Sequence, residues 1–403
     1  MPLPRLLIVS NTYLAPENRK KLHALRSHFE VTCAGPAAAG GMHGRVTDGA
    51  QPEDDGIRMV FLRSLGRAES STRNLLLGLG GVLRKGRFDA VVVESEPWGF
   101  LRWQTWLLKK LFQRRAVFGE YSWENFERPG WKGRILTRIY RAANATADFT
   151  IAGNEGGAEI FRRLGRTTER LLCCPQMGLD PAVFRRFGEG ERQKLREAAG
   201  IRPGRFVIGY AGRLTEFKGV ADLLAAAERL RARLGDCLEL HFLGGGDLRE
   251  SLVARSLGEP WIRVHAPVPH AEVAGFLNLL DLFAHASKPS RDAKGRLLFI
   301  EQTPYALAQA MSCGVPSIGG DVGAIPGMIA VSGMLVPPGD VDALERLIGE
   351  LMKDGARLAG VGAEQQAWVA GNFTNRVIGD RWAEFIKRQI EARQGGARPV
   401  QGE

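Results

Sequence analysis

The chain has 403 residues, 44% of them hydrophobic and 25% charged, which excludes disorder and fibrous folds and, being long for one domain, predicts two. Its longest apolar stretches, such as 75–83, are short and broken by Gly, whereas a bilayer span needs about 20 apolar residues. A formal charge of +11, from 55 Lys and Arg against 44 acids, favours anionic partners: nucleic acid, anionic lipid or phosphorylated small molecules.

Residues 1–10 carry no basic leader and no small-residue cleavage site, so they read as a first strand of a cytoplasmic protein. Short apolar runs at 6–9, 90–93, 116–118 and 149–152 alternate with helical-looking stretches. A second set follows at 206–210, 238–243, 262–265, 282–285 and 315–318. Uninterrupted apolar strands between amphipathic helices mean parallel sheets covered on both faces, so two sets predict two doubly wound α/β domains. Between them, 173–204 holds Pro175, Pro181, Pro203 and mixed charges, the composition of a hinge with a short helix in it. The expected domains are 1–175 and 176–373. Residues 374–393 keep helical apolar spacing through Ile378, Trp382, Phe385, Ile386 and Ile390, so 374–403 is expected as a helix packing back on the first domain, plus a tail. Ligands of such sheets bind beyond the carboxyl ends of the strands, which predicts a cleft between facing domains.

The five cysteines, Cys33, Cys173, Cys174, Cys237 and Cys313, form no Cys-x-x-Cys pair and no metal spacing, and read as buried thiols. Residues 102–115 contain five cations and no acid, with Trp103, Trp106, Leu107 and Leu111 at helical spacing. The plain reading is a crossover helix with its apolar stripe on the sheet and its cations in water. The alternative is peripheral contact with an anionic membrane.

Two segments carry the chemistry. In Glu301-Gln302-Thr303-Pro304-Tyr305, followed by Gln309 and closed by Gly314-Val315-Pro316, Thr303 suits an N-cap and Pro304 the first helical position. Glu301 then sits at the start of a helix whose backbone N–H groups and positive dipole end suit phosphate and hydroxyl groups together. In Gly209-Tyr210-Ala211-Gly212-Arg213-Leu214-Thr215-Glu216-Phe217-Lys218-Gly219, a strand ends in a small-residue loop. Arg213 and Lys218 there suit phosphate oxygens, the one as a fork and the other as a point charge.

Together these segments resemble the family-4 retaining glycosyltransferases, whose GT-B fold is two facing Rossmann-like domains with a cleft between them. The resemblance is best over 206–340. That family carries Glu, seven residues, then Glu, with Ala-Met and Gly-x-Pro following; here the positions are Glu301 and Gln309, so the motif is altered. The resemblance implies a metal-independent transfer of a sugar from a nucleoside-diphosphate sugar to an acceptor hydroxyl, with no cofactor beyond that co-substrate and no nucleic acid or partner protein. It implies that Glu301 contacts donor-sugar hydroxyls, Gln309 the ribose, and Arg213, Lys218 and the Gly212 loop the diphosphate. Glu301-Gln302-Thr303-Pro304 stands where the family often has Glu-Gly-Phe-Gly, so Gln302, Thr303, Pro304 and the following Tyr305 are expected beside the donor. Gly244 begins a glycine turn like the family's, and loops near His265 and Pro267 are expected to read the base.

In the first domain, Asn11 and Thr12 follow the first strand where the family often has paired Gly, and Asn11 is a substitute donor ligand. Glu96 and Trp98 follow the third strand, and Glu120 and Asn125 follow the next, where many members place a His. These four are expected to meet the acceptor, with Glu120 also a catalytic candidate. The cluster Gly40-Gly41-Met42-His43-Gly44 reads as a surface loop. Asp340-Val341-Asp342 matches a metal signature of another glycosyltransferase fold, but its place before 343–347 makes Asp340 a helix cap, and no metal site is expected. Two rivals stand beside this reading: a sugar-nucleotide epimerase on the same fold, and a non-catalytic glycosyltransferase-like binding subunit. A nicotinamide dehydrogenase is weaker, since no Gly-x-Gly-x-x-Gly after a first strand is followed by a ribose-binding acid.

Overall fold

The computed structural model describes residues 2–37, 53–68, 70 and 72–395; the Gly40–Gly44 cluster with His43 lies outside them. The chain divides into two compact units, Met1–Gly178 with Asn375–Glu403, and Leu179–Thr374.

In the first unit the strands are β1 (Arg5–Val9), β2 (Glu30–Pro36), β3 (Glu53–Asp54), β4 (Ile57–Gly66), β5 (Asn74–Leu77), β6 (Ala90–Glu94), β7 (Val117–Ser122), β8 (Phe149–Ala152) and β9 (Leu171–Cys173). Between them run α1 (Lys20–Leu25), α2 (Leu79–Lys85), α3 (Phe100–Phe112), α4 (Gly130–Thr146) and α5 (Glu155–Arg163). The sheet order is β3-β4-β2-β1-β6-β7-β8-β9, parallel apart from β3 and β5, which pair antiparallel with β4. The central strands are apolar on both faces, Leu6 to Val9 and Ala90 to Val93 being fully buried, because helices cover both sides.

The second unit opens with α6 (Glu189–Ala198) and continues as β10 (Phe206–Ala211), α7 (Val220–Leu234), β11 (Leu238–Leu243), α8 (Arg249–Gly258), β12 (Ile262–His265), α9 (Val273–Leu279) and β13 (Leu282–His285). A hairpin of β14 (Ser290–Arg291) and β15 (Leu297–Phe299) precedes α10 (Tyr305–Ser312), β16 (Ser317–Gly320), α11 (Ile325–Ile329), β17 (Leu335–Val336), α12 (Val341–Lys353) and α13 (Gly355–Asn372). Its six-stranded sheet, β12-β11-β10-β13-β16-β17, is wholly parallel. Asp340 caps α12, its Oδ1 accepting from the Ala343 N–H at 2.8 Å.

The last helix, α14 (Asn375–Gly395), returns to the first unit and packs on α1. Trp382 anchors it. The fully buried indole stacks 5.5 Å from Tyr121, takes the Lys21 ammonium 3.5 Å from its ring centre, and donates to the Pro175 carbonyl at 3.1 Å. Lys21 in turn pairs with buried Glu94 at 2.8 Å, which also accepts from the Tyr13 hydroxyl and the Gln176 amide. That ammonium is tolerable without water because a carboxylate and an indole face both meet it.

Helix α3 corrects the reading of its apolar stripe in part: Trp106 packs against the sheet core together with Leu108, but Leu107 and Leu111 face water. Leu101, Arg102, Thr105 and Lys109 face inward, while Phe100, Leu107, Leu111 and Phe112 are exposed. The cause is Glu120 on β7: its fully buried carboxylate requires a cation, and Arg102 supplies one at 2.8 Å while also bonding the Ala143 carbonyl and Thr146.

Trp382→Ala removes the indole together with its hydrogen bond and the cation's aromatic face. We expect a loss of about 3–5 kcal/mol in urea unfolding. A loss below about 1 kcal/mol would show that α14 is not anchored through this side chain.

Candidate active site

β10 and β13 are neighbours in the middle of the second sheet, and the segments beyond their carboxyl ends carry the charged groups. After β10, a short turn over Glu216–Lys218 ends at Gly219, whose φ of +71° and the Ala286 carbonyl pressed against it leave no room for a side chain. The turn directs Lys218 inward. It is 8% exposed, and its Nζ lies 2.5 Å from Oε2 of Glu301, itself 5% exposed.

The same carboxylate oxygen accepts from Ser287 Oγ at 3.0 Å and from His285 Nε2 at 3.2 Å. A carboxylate only accepts, so a His285 proton sits on Nε2. Burial alone would raise the Glu301 carboxyl, but His285 and then Lys218 outweigh it and hold it at about 2. Glu301 is therefore ionised at neutral pH. Burial lowers Lys218 from its ordinary value while Glu301 pulls it back.

Arg213 is exposed and stands 5.5 Å from the centre of the Phe217 ring. Lys218 lies 5.6 Å from that ring and 5.2 Å from Phe299, and the two rings meet at 5.2 Å. Two cations and a carboxylate thus gather round an aromatic pair in one region. Two buried polar atoms here, His285 Nδ1 and Thr215 Oγ1, find no hydrogen-bond partner among the described residues.

The loop after β16 buttresses Glu301 from behind. Ala324 N–H donates to the Glu301 carbonyl at 3.0 Å, and a β-carbon at Gly323, where φ is +59°, would overlap that same carbonyl. The expected Thr303 cap is corrected. α10 begins at Tyr305 with Pro304 as its N-cap and no side-chain cap bond, because the Pro304 carbonyl accepts the first helical N–H groups from Leu307 and Ala308. Gln302 and Thr303 are half-buried, and Tyr305 packs edge-on against Phe373 at 5.7 Å. Gln309 is 8% exposed, with its Nε2 3.1 Å from Nε2 of His270.

The glycine turn after β11 has a packing cause. A β-carbon at Gly244 would overlap the Gly212 carbonyl, so these two glycines let the loops after β10 and β11 press together. His265 ends the neighbouring strand, its Nε2 3.4 Å from His241 Nδ1. Burial, His241 and Arg263 lower it to about 4, so it is neutral at pH 7. Pro267 is exposed beside Gly245.

The remaining candidates lie in the first unit. Glu120 is corrected: fully buried and bound by Arg102 and Thr150, it is a structural partner with no surface for substrate. Glu96 is 8% exposed and accepts from Ser122 Oγ at 2.6 Å and the Trp123 N–H at 2.8 Å. Burial above all, with neighbouring Glu124, raises its carboxyl to about 8 despite the Ser122 bond. Trp98 packs on Tyr140 at 5.8 Å under the Arg128 guanidinium at 5.6 Å. Asn125 is buried, and Asn11 is half-buried with its amide 3.5 Å from the Ala68 carbonyl.

His285, Ser287, Phe299 and His270 belong to none of the motifs that mark the site in the sequence. His285 closes a strand recognised from its apolar run, and a polar residue ending such a strand is the one signal that was available.

This architecture, two parallel-sheet α/β units, is the GT-B fold of glycosyltransferases. Residues 205–354 match the family model described as glycosyl transferases group 1. The chain is 32% identical over 208 residues to a GDP-mannose-dependent alpha-(1-6)-phosphatidylinositol monomannoside mannosyltransferase of Mycolicibacterium smegmatis, covering 50% of this chain and 53% of that protein. It is 30% identical over 268 residues to a D-inositol 3-phosphate glycosyltransferase of Catenulispora acidiphila, covering 63% and 60%. The chain thus spans about half the length of the curated relatives it matches. The Anabaena protein HepE, solved in complex with UDP, superposes with a TM-score of 0.68 at 16% identity over 95% of this chain and 99% of that one.

The Glu96 carboxyl gives a pH test. Below about pH 4.5 it is protonated in both folded and unfolded chains; from there to about pH 8 the unfolded carboxyl ionises and the folded one does not, so stability falls through that window and levels off above it. Glu96→Gln should abolish this fall and gain on the wild type by a few kcal/mol at pH 8, read by urea unfolding across the range. Parallel pH curves would refute the raised value.

Proposed function

We propose that the protein is a glycosyltransferase that moves a sugar from a nucleoside-diphosphate sugar to an acceptor hydroxyl, with retention at the anomeric carbon and without a metal ion. The observation that carries this reading is the ionised Glu301 paired with Lys218 beside Arg213, at the carboxyl ends of adjacent parallel strands. The match of 205–354 to glycosyl transferases group 1 and the names of its relatives support it.

Departure of a nucleoside diphosphate builds negative charge on phosphate oxygens. Arg213 offers a forked donor and Lys218 two N–H groups beyond the one held by Glu301, so fixed cations stabilise that charge most in the transition state. Glu301 accepts from sugar hydroxyls and, being ionised, binds them more strongly than a neutral acid. His285 and Ser287 hold the carboxylate in place while it does so. Gln309 and His270, in hydrogen-bond contact with each other, face the ribose hydroxyls. With retention, the acceptor attacks from the leaving-group side and a donor phosphate oxygen takes its proton, so no protein base is needed. The setting is the cytoplasm, where such donors are made.

Thermal-shift titration with uridine, guanosine and adenosine diphosphates and their sugars tests donor binding and selects the base. A ligand at a hundred times its Kd adds about 2.7 kcal/mol. Lys218→Ala and Arg213→Ala should each lose that shift, and a variant that keeps it in full removes its residue from the clamp. Glu301→Gln should bind diphosphate yet lose transfer by about a hundredfold or more. NMR of the product's anomeric centre and assay in EDTA check retention and metal independence; inversion, or loss of activity restored by a divalent ion, would sink those two parts.

A further inference from the structure

Helix α3 packs Leu101, Trp106 and Leu108 on the sheet core but also buries two of its cations and leaves several large apolar side chains in water. Its inward side carries Arg102, Thr105 and Lys109 with Leu101, and its outward stripe carries Phe100 (62% exposed), Leu107 (51%) and Leu111 (55%), with Trp103 half-buried along the same line. These positions recur at helical spacing, so they form one continuous apolar strip. Exposed Lys110, Arg114 and Arg115 flank it.

The next crossover helix repeats the pattern. On α4, Gly133, Tyr140 and Ala143 are buried, while Trp131 (65%) and Ile135 (47%) point out among exposed Lys132, Arg134, Arg138 and Arg141. β6, β7 and β8 are consecutive parallel strands, so right-handed crossovers put α3 and α4 side by side on one face of the sheet. No acid occurs from 101 to 119 or from 128 to 147. Among the described residues no helix is long and apolar enough to cross a membrane.

We propose that the outer face of α3 and α4 docks on an anionic lipid surface, the apolar strip entering the headgroup boundary and the flanking cations meeting lipid phosphates. Exposed large apolar residues cost free energy in water and mark a binding surface when they cluster. Their partner is selected by charge. A second copy of this chain would bring like-charged patches together, since a two-fold contact pairs a patch with itself. A lipid leaflet offers both an apolar layer and a dense anionic plane, and aromatic residues such as Trp131 and Trp103 suit the boundary between them.

Flotation of the full chain with vesicles tests this without requiring turnover, so its outcome is independent of the sugar-transfer reading. Wild type should float with phosphatidylglycerol-containing vesicles and much less with phosphatidylcholine alone, and high salt should release it. Leu107→Glu with Leu111→Glu, and separately Lys110→Glu with Arg138→Glu, should each cut partitioning by about tenfold or more. These positions are exposed, and unchanged circular-dichroism melting checks that the variants fold. Failure of the wild type to float, equal flotation on both lipids, or full binding by the folded variants would overturn the proposal. So would a dimer in sedimentation that the Leu107→Glu, Leu111→Glu variant dissolves, since a second copy would then own the surface.

Discussion

An ion pair almost out of water, Lys218 with Glu301, is the constraint around which the second unit's loops are arranged. Such pairs contribute little net stability, because desolvating both charges consumes most of the attraction, yet removing either partner strands the other. A fold that only needed packing at this place would do as well with two apolar side chains. What the pair supplies instead is a fixed carboxylate and a fixed ammonium at an edge where parallel sheets bind ligands. The surroundings keep both in register: Ser287 and His285 on the carboxylate, the Gly323-Ala324 backbone on the Glu301 carbonyl, and Phe217 and Phe299 around the ammonium.

The same logic, turned to structure, governs the first unit. Three acids stand in or just beyond the carboxyl-terminal halves of β6 and β7, and each is used internally. Glu94 is held by Lys21, Tyr13 and Gln176; Glu120 is held by Arg102; Glu96 accepts from Ser122 and Trp123 and is kept protonated by burial. Position at a strand's carboxyl end is therefore not enough to make a carboxylate available. Exposure and partners decide, and these depend on residues far away in the chain.

That distinction explains what the sequence disclosed. The parallel strands were legible because strands buried on both faces are plain apolar runs, while β14, β15 and β17 are two or three residues long and leave no pattern. Glu301, Arg213 and Lys218 were legible because they sit at fixed offsets from strand ends and a Gly-x-Pro. Their meeting was not, since Lys218 and Glu301 are 83 positions apart and the chain between them must fold to bring them together. Thr303 looked like a cap by type, but Pro304 fixes its own φ and presents its carbonyl one residue later. Periodicity gives the existence of an apolar stripe on α3 and not its direction; the pairing of Arg102 with Glu120, 18 residues on, sets which side faces inward.

A helix that buries cations while exposing apolar side chains, and a buried ion pair, raise one question in common, namely what the fold gains from a locally unfavourable arrangement. On α3, satisfying Glu120 with Arg102 orders the interior and, as a geometric consequence, rotates Phe100, Leu107 and Leu111 into water. A sequence selected for stability alone would place polar residues on that outward stripe, and the solvent-facing positions 110, 114 and 115 show that charge is tolerated there. The proposed lipid contact would give the large apolar residues between those cations a partner that is itself apolar and anionic. The two departures from ordinary patterning, one in each unit, thus coincide with the proposed donor clamp and the proposed lipid face.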